Sequence, residues 1–171
     1  TNSYATGAVT GSKYTGGLVG SAWGSVTITN SYATGSVTGE GYDTGGLVGF
    51  ANDSTEITNS YATGSVTGKE RTGGLVGRAS SSTIENSYAT GSVEGTGGYT
   101  GGLVGKTYSS TTSSTTITNS YWNTETTGCN SSSGGGLGKS TNDMKMQKTY
   151  EGWDFDKIWQ INEGKSYPTL R

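Results

Sequence analysis

Two short phrases alternate along this chain, and their spacing limits its fold more than any other feature. The first, NSYATG, begins at Asn2, Asn30, Asn59 and Asn86, and a variant, NSYWNT, begins at Asn119. The second, TGGLVG, occupies residues 15–20, 44–49, 72–77 and 100–105. Successive copies are mostly 27 to 29 residues apart. Such a period is typical of a solenoid, in which each repeat stacks on the next.

The residue types indicate which kind of solenoid this is. The chain has 171 residues, of which 31 are glycine and one is proline. Each unit is rich in Gly, Thr and Val, which disfavour helices and suit strands and turns. The unit is too short for a propeller blade and has too few leucines for a leucine-rich repeat. We therefore expect an all-β fold, a parallel β-solenoid (β-helix) of about five coils of about 28 residues each.

Equivalent residues of successive coils should stack as ladders. The asparagine ladder consists of Asn2, Asn30, Asn59, Asn86 and Asn119. The tyrosine ladder consists of Tyr4, Tyr32, Tyr61, Tyr88 and Tyr121. Asparagines in such a ladder can hydrogen-bond to one another and to the backbone at a bend. We expect both ladders to face inward, because outward tyrosines would leave Ser31, Ala33 and Gly35 lining a void.

The repeat weakens after the last tyrosine of the ladder. We assign residues 1–121 to the repeats and residues 122–171 to a degenerate last coil and a C-terminal cap of the same domain. The segment 140–148 predicts a helical turn with Ser140 or Thr141 as its N-cap. The tail from Tyr150 is rich in aromatic residues, so we expect it to cover the open end of the last coil.

Two zones differ between coils, and both predict loops at the corners. One zone precedes TGGLVG and the other follows it, with its longest version at residues 106–116. The aromatic residues of these zones are Tyr14, Trp23, Tyr42, Phe50, Tyr99 and Tyr108. Such side chains suit contacts with sugars and proteins, so they are the candidate binding residues. The structural alternative is that some of them fold back over neighbouring coils.

The sequence argues against an enzyme, a metal site and a cofactor. It contains no histidine, which excludes a His-Glu zinc site and any triad that uses histidine. Acidic residues such as Asp43 and Glu94 form no recurring pair, so we expect them to be exposed substitutions. Cys129 is the only cysteine, so an intrachain disulfide is excluded and we expect an inert thiol.

Charge and hydropathy limit the partners. The chain has 11 basic and 13 acidic residues and no basic run, so we expect no nucleic-acid partner. No stretch is long and apolar enough for membrane insertion by a helix. The Thr-, Ser-, Gly- and Asn-rich composition favours an extracellular or cell-surface location. Thr1 lies inside a repeat, so we expect a piece of a longer protein whose first strand is an open edge, capable of weak self-association.

The phrases ITNSYATGSVTG and TGGLVG resemble the GLUG repeat, which takes its name from a Gly-Leu-hydrophobic-Gly signature. The closing segment, from SYWNTETTG to YPTLR, resembles the terminal module that often follows such repeats. The resemblance implies a large secreted or surface-attached microbial protein of adhesin-like type. It also implies a relation to repeats found beside the catalytic domain of immunoglobulin A-specific metallopeptidases.

Three functional hypotheses follow. The first is a non-catalytic structural stalk or adhesin module whose partner is a host or neighbouring-cell surface protein or glycan. The second is a carbohydrate-binding module that uses the loop aromatics. The third is an ice-binding surface formed by threonine rows. These rows are Thr6, Thr34, Thr63 and Thr90, and Thr10, Thr38 and Thr67, the second of which is interrupted at Glu94.

Overall fold

The computed structural model describes residues 1–109 and 114–171. The expected all-β parallel solenoid is confirmed, with four complete coils and a shortened fifth, so the estimate of about five coils is slightly too high. Part of the loop predicted at residues 106–116 lies outside the described residues.

Each complete coil contributes one strand to each of five parallel sheets. The tyrosine sheet contains Tyr4–Ala5, Tyr32–Ala33, Tyr61–Ala62, Tyr88–Ala89, Tyr121–Asn123 and Leu137–Lys139. The valine sheet contains Val9–Gly11, Val37–Gly39, Val66–Gly68 and Val93–Gly95. The threonine sheet contains Thr15–Gly16, Asp43–Gly45, Arg71–Gly73 and Tyr99–Gly101. The leucine-valine sheet, which follows the Gly-Gly-Leu turn, contains Val19–Ala22, Val48–Ala51, Val76–Ser80 and Val104–Tyr108. The isoleucine sheet contains Thr27–Thr29, Glu56–Thr58, Thr83–Glu85 and Thr116–Thr118.

The interior of the solenoid is narrow and apolar. Leu47 and Val48 are fully buried and share one cluster with Ile28 and Ala33 from other walls of the coil. The glycines of TGGLVG allow this close packing. A Cβ on Gly46 would lie 2.2 Å from the carbonyl oxygen of the glycine below it and 2.8 Å from the Cβ of an interior alanine. A side chain at this turn would therefore force the coils apart.

The tyrosine ladder faces outward, so the inward prediction is wrong. Tyr32 and Ala33 are neighbours on one strand and therefore point to opposite faces. Alanine takes the inner face, where a Cβ on Gly17 would lie 2.9 Å from the Cβ of Ala33 and where no void remains. Outside the coil, the rings of Tyr61 and Tyr88 stack in parallel with centroids 5.0 Å apart.

The asparagine ladder marks a corner of the coil and does not enter the interior. All five residues have left-handed φ values between 44° and 51°, a conformation that asparagine tolerates better than most residues. Their side chains are half-buried or exposed, so the predicted bend is confirmed and the inward direction is wrong.

Buried serines make the interior hydrogen bonds at this corner. The backbone N–H of Ser31 donates to Oγ of Ser60, and that of Ser60 donates to Oγ of Ser87, each at 3.2 Å. Each serine hydroxyl in turn donates to the carbonyl oxygen two residues earlier, as in Ser60 at 2.8 Å. The serine of NSYATG therefore links adjacent coils.

Trp122 closes the end of the stack. It stands in register with the interior alanine Ala89 of the preceding coil, and its indole fills the space beside Gly102. Its Nε1–H donates to the carbonyl oxygen of Cys129 at 2.9 Å. A short helix, Thr124–Thr127, which was not predicted, follows with Asn123 as its N-cap. The last coil is thus covered by the degenerate repeat.

The C-terminal segment, residues 140–171, lies along the outer face of the tyrosine sheet, and we call it the strap. It contains the helix Thr141–Met144, the 3-10 helix Gln147–Thr149 and the antiparallel strands Trp159–Gln160 and Thr169–Leu170. Oγ of Ser140 accepts a hydrogen bond from the N–H of Asp143 at 3.1 Å, which confirms the predicted N-cap.

The strap packs on the ladder and leaves the end of the last coil to Trp122, so its predicted location is wrong. Trp153 and Trp159 are buried in one cluster with Tyr88 and Tyr121. The hydroxyl of Tyr88 donates to the carbonyl oxygen of Pro168 at 2.6 Å. This contact covers a row of aromatic rings that would otherwise face solvent.

Candidate binding face

Phe50 forms the centre of an aromatic cluster on one side of the solenoid. Its ring lies 5.5 Å from the ring of Tyr14 and 5.2 Å from that of Trp23, measured between centroids. The guanidinium carbon of Arg78 lies 3.6 Å above the ring of Phe50, within the range of a cation–π contact. Phe50 is only 3% exposed, so it supports Arg78 and is not the exposed contact residue that its loop position predicted.

The cluster continues along the stack toward the last complete coil. Arg78 lies 5.9 Å from the ring centroid of Tyr108. The ammonium group of Lys106 lies 4.1 Å over the ring of Tyr99 and 5.8 Å from that of Tyr108. Tyr99 and Tyr108 remain substantially exposed.

A buried carboxylate pairs with two of the arginines beside this cluster. Asp43 is fully buried and forms ion pairs with Nε of Arg71 and, at 3.1 Å, with Nε of Arg78. Arg71 and Lys13 each lie 5.9 Å from the ring centroid of Tyr42. Asp43 was expected to be an exposed substitution, which is wrong. Burial raises the pKa of its carboxyl group, and the two guanidinium groups oppose this shift.

These contacts connect all six candidate aromatics into one surface, which we call the aromatic–cation face. Its members are Tyr14, Trp23, Tyr42, Phe50, Tyr99, Tyr108, Lys13, Arg71, Arg78 and Lys106. Trp23 is 58% exposed, and Tyr42, Tyr99 and Tyr108 are 41–45% exposed. Four rings are therefore available to a ligand, whereas Tyr14 and Phe50 are supporting groups.

The repeat explains why these side chains meet. Phe50, Arg78 and Lys106 occupy the same position in successive strands of the leucine-valine sheet. Asp43 and Arg71 are likewise direct partners in the threonine sheet. Opposite charges facing each other across strands are a recognised stabilising pair. Aligning the repeats and comparing this position between coils two and three would have found the pair from sequence.

The other sequence candidates form no site of comparable size. Thr10, Thr38 and Thr67 are exposed in one file along the valine sheet, and Glu94 occupies the next position. Thr90, in the row that begins at Thr6, is buried. This arrangement lacks the broad, flat threonine array that the ice-binding hypothesis needs.

Metal and thiol chemistry find no support in the described part of the chain. Residues 1–109 and 114–171 contain no group of three or more His, Cys, Asp or Glu side chains placed to hold a metal ion. Cys129 is buried, and this burial raises the pKa of its thiol. Among the same residues, no helix has the length and apolar character needed to cross a membrane.

Fold and side-chain pattern together define a β-solenoid repeat protein with one aromatic–cation face. The model of the GLUG motif matches residues 11–38, 40–67 and 68–94, so the repeats across residues 11–94 are GLUG motifs. The comparison with curated proteins finds no significant match.

Among solved structures, the chain is similar to a crystal structure described as a putative immunoglobulin A1 protease from Bacteroides ovatus. The TM-score is 0.60 at 20% sequence identity, and the similarity covers 98% of this chain and 56% of that one. The chain thus spans little more than half the length of that protein, and at this identity the likeness concerns the fold.

Proposed function

We propose that this chain is a non-catalytic, adhesin-like module of a secreted or cell-surface microbial protein, and that the aromatic–cation face is its contact surface. The observation that supports this proposal is the convergence of all six candidate aromatics with four cations on one side of an otherwise repetitive scaffold. The partner is a protein or glycan on a host or neighbouring cell. Exposed Trp and Tyr rings beside Arg are the side chains most enriched at binding hot spots.

A role without catalysis fits the chemistry of the chain. The sequence has no histidine, and its most deeply buried carboxylate, Asp43, is occupied by two arginines. A protease that uses histidine in catalysis would need residues that this chain lacks. GLUG coils beside such a domain would place or anchor it.

The test is a titration of the full chain on glycan and cell-surface protein arrays. The parent should bind at least one class of target, and Trp23→Ala combined with Tyr42→Ala should weaken binding about tenfold or more, since each truncated anchor costs about 1–2 kcal/mol. Tyr4→Ala is the matched control, because Tyr4 is 66% exposed but lies on the tyrosine sheet. An equal loss of affinity in Tyr4→Ala would contradict the proposal. So would an affinity that none of the three substitutions changes.

A spacer role is the second candidate, and a separate observation favours it. Backbone hydrogen bonds join each coil only to its neighbours, so the length grows by about 4.8 Å per coil without any other change in the fold. A pure spacer predicts no specific binding on either array.

A further inference from the structure

We propose that the aromatic–cation face binds an extended acidic polysaccharide, a chain of uronic acid sugars lying parallel to the solenoid axis with about one sugar per coil. This proposal deepens the proposed function and rests on it. The face has the charge, the oriented cations, the spacing and the exposed rings that such a ligand needs.

The charge of the face is opposite to that of the chain. The net charge of the chain is −2, yet Lys13, Arg71, Arg78 and Lys106 lie together on this side. Of the two carboxylates that contact them, Asp43 is fully buried, and only Glu70, 3.6 Å from Arg71, is exposed. A ligand therefore meets an excess of positive charge, which favours an anionic partner.

The cations are fixed in place but still have donors to offer. The planar guanidinium group of Arg78 lies over the ring of Phe50, and its Nε forms an ion pair with Asp43. Among the described residues its two terminal nitrogens donate no hydrogen bond, and Lys106 has no carboxylate within ion-pair distance. A guanidinium group oriented in this way is suited to a carboxylate, which accepts two parallel hydrogen bonds.

The spacing favours a ligand that is itself a repeat. Arg78 and Lys106 are direct partners on adjacent parallel strands, as are Phe50 and Arg78. Adjacent strands lie about 4.8 Å apart, which is close to the length of one sugar in an extended chain. A polyuronate parallel to the axis would therefore pass about one sugar per coil, and the carboxylates on the side toward the face would lie beside its cations.

The exposed rings flank this row. Trp23 lies in the first coil, Tyr42 in the second, and Tyr99 and Tyr108 in the fourth. Each presents a flat apolar surface, which can pack on the C–H face of a sugar ring. Rings at both ends of the cation row suit a ligand several sugars long, whereas a single sugar would contact only one end.

The test measures binding of galacturonic acid and mannuronic acid oligomers to the full chain by calorimetry. Neutral malto-oligomers of the same lengths serve as the ligand control. Affinity should rise about tenfold from two sugars to four and then change little, because four coils carry the face. It should also fall about tenfold between low and high salt, because exposed charges are screened.

Two substitutions test the cations independently. Lys106→Gln and Arg78→Gln should each weaken binding of the acidic tetramer about fivefold or more. Lys106→Gln leaves the Asp43 pairs intact, so it keeps the test valid if Arg78→Gln perturbs folding. Lys148→Gln and Lys165→Gln, both exposed on the strap, are the controls and should change nothing.

The outcomes separate this proposal from the proposed function. Equal affinity for acidic and neutral oligomers, or binding unaffected by Lys106→Gln, would overturn the acidic ligand. If array binding through Trp23 and Tyr42 persists with neutral glycans or proteins alone, the face is a contact surface for a different ligand. If neither array nor oligomer shows binding, both proposals fail.

Discussion

At the second glycine of each TGGLVG phrase, only a hydrogen atom fits between two coils. A Cβ on Gly74 would lie 2.2 Å from the carbonyl oxygen of Gly102 and 2.9 Å from the Cβ of Ala89. Both obstacles are backbone or short side chains that cannot rotate away. The requirement follows from the narrow interior and applies to every coil.

We therefore predict that Gly74→Ala destabilises the fold by about 2 kcal/mol or more, because overpacking forces the backbone apart. Gly98→Ala is the matched control, since a Cβ there meets nothing within 4 Å. Thermal unfolding followed by circular dichroism should show the melting temperature of Gly74→Ala lowered by at least about 4 °C. Similar melting of the two variants would refute the close-packing account.

The tyrosine ladder predicts instability at alkaline pH. Burial raises the pKa of Tyr61 to about 12, with a further contribution from Tyr32, and burial also raises the pKa values of Tyr88 and Tyr121. The folded state therefore favours the neutral phenols. This stabilisation is complete below the ordinary tyrosine pKa of about 10 and is lost as pH rises through about 12.

A titration followed by tyrosinate absorbance and circular dichroism checks this sign. We expect several of the 11 tyrosines to ionise only together with loss of the strand signal, above pH 10 or so. Reversible ionisation of all of them with the fold intact would show that the ladder is open to solvent.

At this scale the sequence predicted which residues stack but not the side of the sheet on which they lie. The ladders and their register follow directly from the repeat. The inward prediction failed because it assumed that large residues must fill the interior. The coil is instead thin enough for Ala33 and Ser31 to fill it, and only the distance between the walls reveals this.

Among the elements, the strap shows that an aromatic-rich tail can be predicted to cover apolar surface, but not which surface it covers. Its composition indicated that it must cover apolar surface, but the stack offered two such surfaces, its end and its tyrosine face. The variant phrase NSYWNT carried the missing signal, because Trp122 takes the interior alanine position and closes the end. Because Trp122 closes the end, the remaining apolar surface for the strap to cover is the tyrosine ladder.

We predict that deleting residues 150–171 causes aggregation or loss of cooperative unfolding. The deletion would expose the rings of Tyr61, Tyr88 and Tyr121 in one continuous row. The milder change Trp159→Ala should cost about 3–5 kcal/mol, since Trp159 is fully buried. Denaturant titration and light scattering measure both effects, and a truncated chain that stays soluble and melts as sharply as the parent would contradict the strap's role.

The aromatic–cation face was predicted in part. The aromatics followed from the variable zones of the repeat, but their placement in corner loops is wrong for Phe50, Tyr99 and Tyr108, which lie in strands. The ion pairs did not, because Asp43 and Arg71 look like isolated charges until coils two and three are placed in register. Phe50 was also misjudged, since only the structure shows that Arg78 covers it.

Across residues 1–171, the first coil is the least covered of the coils. Its strands form an edge of all five sheets, and Leu18 and Val19 are only partly buried, whereas Leu47 and Val48 one coil later are fully buried. Unpaired edge strands tend to add another strand from a second chain.

We predict weak self-association of this chain through residues 1–10, rising with concentration. Val9→Lys should reduce it, because a charge on an edge strand discourages pairing. Sedimentation equilibrium from micromolar to millimolar concentration compares the parent with this variant. A parent that remains monomeric throughout would show that the edge is protected by its own chain.

The exposed ring of Tyr4 marks the limit of the strap's reach. Exposure along the ladder falls from 66% at Tyr4 to 6% at Tyr61 and 1% at Tyr88, so the cover thins out toward the first coil. Coils can be multiplied by duplicating one repeat, but the strap has a fixed number of residues. Each added coil would then expose one more tyrosine to solvent. The fixed length of the strap thereby limits how many repeats it can shield.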